Sequence, residues 1–297
     1  MSLKGARWPR SIVNCEVMCL NCDVDQQSTE FNPDKKLSDL IRKILPVFIA
    51  FGRKDLSILG TSQEHPKLRV RDGLIYRLQA VLYNIHDLAA HQAEALKYMK
   101  DHFPHSMKQG EDWWINRARI QFYLFDNLIF NAVSAFDYLG CALGLLYLNK
   151  PKFKWNSLVK CARDHGNRFS STEQARLILQ WHAEWVDELF GYRSEVIHFS
   201  PDSAKSGTSL QSKGDQTMLS FYVEAPERLR KILPLLIDDQ NPYLGQTAMQ
   251  IVARLFLCCE QSFDCVNSEV LPYWKNVEKD LIHEYKMKHP IVNGKSE

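Results

Sequence analysis

The chain has 297 residues, 45% hydrophobic and 24% charged, enough apolar material to bury a sizeable core as an ordinary soluble globular protein. Its formal net charge of +2 excludes a strong global field, so any nucleic-acid contact would rest on local patches. Eight cysteines follow an N-terminal MSLKGARWPR that lacks the apolar core of a signal peptide, and the expectation is reduced thiols in a cytoplasm.

Residues 1–36 show neither a period of 2 nor a sustained period of 3.6 and read as an irregular extension. From Leu37 to about Leu59 the apolar positions Leu37, Leu40, Ile41, Ile44, Leu45, Phe48 and Ile49 recur at helical spacing, interrupted by Pro46, which predicts a kinked helix or two short ones. A basic, polar segment leads into a stripe at Leu74, Leu78, Val81, Leu82, Ile85 and Leu88 that runs to about His102. Asp112 is placed as the N-cap of a helix reaching about Leu148. Its most apolar part, Phe122 to Leu148, still carries Asp126, Asn127, Asn131 and Asp137, and reads as a buried helix rather than a membrane span.

Trp155 to His165 is expected as a short helix stopped by Gly166. Ser170-Ser171-Thr172-Glu173 has the capping-box pattern and opens a helix that runs towards Arg193. Proline disfavours helix in the residue before it, so Pro201 should end that helix around Phe199 or Ser200 and leave His198 in or beside its last turn. Ser, Gly, Lys and Asp dominate from Pro201 to Gln216, which reads as a mobile loop, with Leu219–Val223 as a short strand. A last helix is expected from Asn241-Pro242 to about Lys288, kinked at Pro272. The expected fold is all-α: a bundle of four to five principal helices in a single domain over 37–290, with a flexible insertion at about 201–226.

Arg193 and His198 stand five positions apart, and a chain with this many Arg and His residues produces about one Arg followed by His five to seven positions later by chance. Arg176 and His182 are indeed a second. Context separates them: His182 lies mid-helix, where an ordinary role fits, whereas His198 lies at a helix end beside a polar loop. Positions 193 and 198 are roughly 140° apart around an ideal helix. Convergence therefore needs a bent arginine, a loosened last turn or a second copy of the helix. The ordinary alternative is a surface pair of Arg193 with Glu195 or Asp187.

An all-α chain whose late helix ends in Arg-x4-His resembles the HEPN superfamily, with its Arg-x4-6-His signature. Phe125-Asp126-Asn127 and Phe136-Asp137-Tyr138 also look like the central helices of such proteins. Ser194 stands where that family more often has Asn, Asp or His. The resemblance covers about residues 72–200 plus the last helix. It implies a metal-independent endoribonuclease, working as a homodimer without cofactor and open to a regulatory partner protein. RNA carries its own nucleophile, the 2′-hydroxyl, so the protein needs only proton transfer and charge stabilisation at phosphate. Arg193 would stabilise the phosphate, His198 would serve as general acid or base, and Ser194 would orient the phosphate. The run Lys150, Lys152, Lys154, Lys160, Arg163 and Arg168 would track the RNA backbone, or be a solvated loop.

A non-catalytic binding or scaffold module of the same fold stays open. Ile85-His86-Asp87-Leu88 is similar to the centre of HD-domain phosphohydrolases, which would make His86, Asp87, His65 and Asp126 or Asp137 metal ligands. Cys15-x3-Cys19-x2-Cys22 has the spacing of an iron–sulfur ligand set, but the alternation of strands and helices that such enzymes carry is missing. Free thiols are the expectation there, and buried small hydrophobes at Cys258, Cys259 and Cys265.

Overall fold

The computed structural model describes residues 31–54, 66–102, 111–198, 206–213, 216–230 and 244–274. The fold is all-α, as expected, with a single two-stranded sheet among the described residues. Helix α1 spans Pro33–Lys54, α2 Pro66–Asp101, α3 Glu111–Leu148, α4 Trp155–Arg163, α5 Glu173–Trp181, α6 Asp187–His198, α7 Glu227–Arg230 and α8 Leu244–Cys265. The described residues cluster in two compact units: those within 31–82, 128–201 and 250–297 in one, those within 83–127 and 202–249 in the other.

In the first unit α1 starts earlier than its apolar stripe suggests, because Asn32 caps it: its side-chain oxygen accepts from Lys35 N at 2.9 Å and Pro33 takes the first helical position. The helix runs unbroken through Pro46. Pro46 and Arg42 both lie on the exposed face, where water can reach the carbonyl that proline cannot serve. Leu40, Ile44, Val47 and Phe48 on the opposite face are buried. Lys43 joins α1 to α8 through Glu260 and Asp264, both at 2.9 Å.

The second half of α3 is the centre of this unit. Leu128, Ile129, Ala132, Val133, Phe136 and Leu139 are almost wholly buried, so the one helix among the described residues that is long and apolar enough to cross a membrane is mostly covered by protein. Gly140 and Gly144 let the chain fold back along it. A Cβ on Gly140 would come within 2.6 Å of Trp155 N, and one on Gly144 within 2.6 Å of the Phe153 Cβ. Trp155 then buries its ring edge-on against Phe136, which also meets Trp185.

Asp112 lies inside α3 rather than capping it, since the helix already includes Glu111. The expected capping box over Ser170–Glu173 does not form: Ser170 lies in a 3-10 turn, Arg168–Ser171, and Thr172 is the N-cap of α5, accepting from Ala175 N at 3.1 Å. The carboxylate serving the first turn from outside comes from Glu269, which accepts from Glu173 N at 2.9 Å and from the Tyr147 hydroxyl at 2.6 Å. Between α5 and α6 the helix widens into a π turn, His182–Val186, without breaking. A second π turn, Val266–Val270, follows α8 just ahead of Pro272. The wider turn relieves the clash that the proline ring would make with the carbonyl one turn back. Helix continues through Pro272 to Trp274, the last described residue.

In the other unit the expected mobile loop is in part a β-hairpin: β1, Ser206–Lys213, pairs antiparallel with β2, Gln216–Val223, from Ser206 opposite Val223 to Lys213 opposite Gln216. The hairpin is tied down where β2 ends. Phe221 and Val223 are buried, the Phe221 ring lies 5.3 Å from Trp114, and its carbonyl accepts from Gln92 Nε2 at 2.6 Å. Gln92 in turn accepts from the buried Gln121 at 2.7 Å, so a row of amides is satisfied where an apolar face would have left the carbonyl bare.

Candidate functional site

Helix α6 stays regular through His198, the last described residue before Pro201. Because the last turn does not loosen as far as His198, the offset of roughly 140° between positions 193 and 198 stands. Ser194 is exposed, and position 198 falls only about 40° from it on the same helix. Arg193 belongs to another face. It is half-buried, its guanidinium carbon 5.6 Å from the centre of the Phe130 ring of α3, and its Nε is buried without a hydrogen-bond partner among the described residues. The surface pair with Glu195 or Asp187 does not form. Asp187 faces His182 at 3.7 Å, and Arg193 meets no carboxylate among the described residues.

That condition is unusual for a half-buried cation. A guanidinium takes five hydrogen bonds in a fixed fork, and removing it from water without a counter-charge is costly. The face of Phe130 offsets part of this through the ring's negative quadrupole, worth about 0.5–2 kcal/mol. What remains unsatisfied is the capacity to bind an anion.

The second Arg-His pair behaves otherwise. Arg176 is exposed and forms an ion pair with Glu173 one turn away. His182 is half-buried in the π turn, and burial pushes its pKa below the usual histidine value. Asp187 opposes that shift and the charge of Arg163 adds to it.

The basic run lies elsewhere along α3. Lys150 N donates to Gly144 O at 2.8 Å and its ammonium sits 5.1 Å from the Phe153 ring, while the backbone of Lys154 abuts Gly140. At 1.5 Å per residue these are about 21 and 15 Å along α3 from Phe130. Lys152, Lys154 and Arg163 are exposed. The run is thus not part of the Arg193 environment, although it lies on the same unit.

The metal-site candidates that are described meet other groups. Asp87 accepts from the exposed Tyr83 hydroxyl and holds that hydroxyl above its usual pKa. Asp137 accepts from Trp155 N at 3.4 Å. No group of three His, Cys, Asp or Glu able to hold a metal ion occurs among the described residues. His65 and Cys15, Cys19 and Cys22 lie outside them. Cys258 and Cys259 are buried, and desolvation pushes both thiols well above their usual pKa, which fits inert hydrophobic packing.

Sequence reasoning missed Phe130, which carries Arg193, and Arg77, whose Nη1 donates to Asn131 at 3.0 Å. One signal was present: Asn131 interrupts the most apolar run of the chain, and a polar residue there must find a partner. Comparison with protein-family models, curated proteins and solved structures finds no match for this chain.

Proposed function

We propose that the chain is a HEPN-like endoribonuclease that cuts RNA at a site shared between two copies, Arg193 stabilising the phosphate and His198 of the other copy transferring the proton. The reaction joins the 2′-oxygen to the adjacent phosphorus and breaks the bond to the 5′-oxygen, leaving a 2′,3′-cyclic phosphate and a 5′-hydroxyl. One imidazole takes the proton of the 2′-hydroxyl, or gives one to the leaving oxygen. Charge that builds on the phosphoryl oxygens meets the guanidinium fork. Ser194, exposed and about 40° from position 198 around the helix, would orient the phosphate.

The observation that carries this reading is the Arg193 guanidinium: half-buried, held over Phe130 and without a carboxylate among the described residues. A regular helix through position 198 supports the two-copy arrangement, because positions 193 and 198 of one helix lie roughly 140° apart. The lysines at 150, 152 and 154 and Arg163 extend the reading to a longer RNA contact on the same unit.

Incubation of purified protein with RNA in the presence of a chelator tests it. Cleavage should be lost in Arg193→Ala and in His198→Ala and survive in Arg176→Ala. A dimer that cuts no RNA under any condition would replace this reading with the scaffold one, and cleavage abolished by chelator and by His86→Ala would favour a metal-dependent phosphohydrolase.

A further inference from the structure

Arg193 is not alone in its condition. Arg77 of α2 is also half-buried, its Nε is buried without a partner, and its one hydrogen bond to a described side chain goes to the neutral oxygen of Asn131. Three other half-buried arginines have carboxylates at hand: Arg71 meets Asp72 at 2.7 Å, Arg117 meets Glu94 at 3.1 Å, and the charge of Glu184 acts on Arg254. Arg77 and Arg193 have none among the described residues, and they touch consecutive positions of α3, Asn131 and Phe130.

The helical geometry of α3 places these contacts on the two flanks of one strip. Phe130 and Asn131 are about 100° apart around the helix axis, and Ser134 falls between them, about 40° from the first and 60° from the second. All three are half-buried, whereas Ala132, Val133, Ala135 and Phe136 on the remaining circumference are buried. Ser134 turns its hydroxyl back onto Phe130 O at 2.7 Å, so the strip between the arginines carries no charge of its own. Arg77 borders it from α2 and Arg193 from α6.

Two like charges at the edges of a neutral, partly desolvated strip repel each other and are poorly hydrated, an arrangement that an anion laid between them would relieve. We propose that Arg77 is a second phosphate-binding residue, holding the RNA backbone at the phosphate next to the one that Arg193 engages. This rests on the ribonuclease reading above and extends it: the substrate track runs across the outward strip of α3 from α6 to α2, and Arg77 supplies affinity without touching the reacting atoms. The cation–π contact of Arg77 with Tyr76, 5.5 Å from the ring centre, steadies the fork without neutralising it.

The test is equilibrium binding of a single-stranded RNA with 2′-O-methyl groups throughout, which has no nucleophile and so reports binding apart from cleavage. Wild type, Arg77→Gln, Arg77→Lys and Arg176→Gln are compared over a series of salt concentrations. Arg77→Gln should bind about tenfold more weakly whatever the RNA sequence, and its slope of log affinity against log salt should be shallower by about 0.7, the share of one phosphate contact. Arg77→Lys should keep the wild-type slope, because the charge is retained while the fork is lost, and Arg176→Gln should match wild type in both respects. A merely structural role for Arg77 would lower the melting temperature but leave the slope unchanged in the folded fraction. An unchanged slope in Arg77→Gln overturns the inference, as does a slope reduced equally in Arg77→Lys or a wild type that fails to bind. Binding with the expected slopes but no cleavage of ordinary RNA by wild type would sink the ribonuclease reading and leave the phosphate track standing.

Discussion

Removal of the Glu269 carboxylate is expected to loosen the helix that carries Arg193 at its first turn. The carboxylate does two things at once: it accepts from Glu173 N at the start of α5 and from the Tyr147 hydroxyl of α3. Tyr147 is half-buried, and both its burial and the neighbouring carboxylate drive its hydroxyl far above the ordinary tyrosine pKa, so it stays a donor at every accessible pH. In Glu269→Ala the hydroxyl loses its acceptor and the α5 amide loses its external cap. A buried hydrogen bond to a charged acceptor is worth about 1.5–3 kcal/mol and an exposed cap about 0.5–1 kcal/mol, which together give a loss of roughly 2–4 kcal/mol. Urea unfolding of the wild type, Glu269→Ala, Tyr147→Phe and the double variant should show each single change destabilising. The pair should be coupled by about 1–2 kcal/mol, because Tyr147→Phe removes the donor that Glu269→Ala leaves stranded. The cycle isolates the contact from general damage to the helix. Additive losses, or a Glu269→Ala protein within about 0.5 kcal/mol of wild type, would refute the reasoning that this carboxylate anchors α5.

Arg193→Met should stabilise the protein or leave it unchanged, by up to about 1–2 kcal/mol, because it keeps an apolar stem against Phe130 and removes a half-buried charge that lacks a counter-ion; a loss of stability in thermal melts would mean that the guanidinium has a structural partner. Gly140→Ala should destabilise by about 1–3 kcal/mol, since the new Cβ meets the backbone of Trp155 at 2.6 Å and only about 1 kcal/mol of helix propensity offsets the clash. Below about pH 6.5 the unfolded chain protonates His182 while the folded state, with its pKa lowered, resists, so the stability contributed by the neutral ring is lost as pH falls from that value towards the folded pKa. His182→Gln should therefore flatten the acid limb of a plot of melting temperature against pH, which the same melts repeated from pH 7 to pH 5 would check. Cys258 and Cys259, buried and protonated, should react with a thiol reagent only on unfolding, as peptide mapping after brief labelling of the native and the unfolded chain would show.

The sequence was most legible where one physical rule acts alone. The stripe of Leu74, Leu78, Val81 and Ile85 is buried as its spacing implies. It misled where two rules compete. Pro46 allows a kinked helix or two short ones, and at an exposed position, where water can reach the carbonyl left without its donor, one helix continues through it. The polarity of Ser206–Lys213, with no apolar alternation, predicts a loop, whereas its pairing as β1 is set by β2. The place of Arg193 on a helix followed from periodicity, but its lack of a carboxylate partner did not, since Asp187 and Glu195 are near in sequence and only the fold turns Asp187 towards His182. Arg77 was out of reach for a similar reason: no local pattern joins α2 to the strip of α3 that Arg193 borders.

The central claim, that Arg193 of one copy works with His198 of another, is tested most directly by mixing two inactive proteins. Arg193→Ala and His198→Ala are each without activity in this account, but dimers that exchange subunits hold one intact site of two in half of their number. After exchange, RNA cleavage should return to about a quarter of the wild-type rate, with 2′,3′-cyclic phosphate ends. No recovery after verified exchange, or residual cleavage by either variant alone, would contradict it.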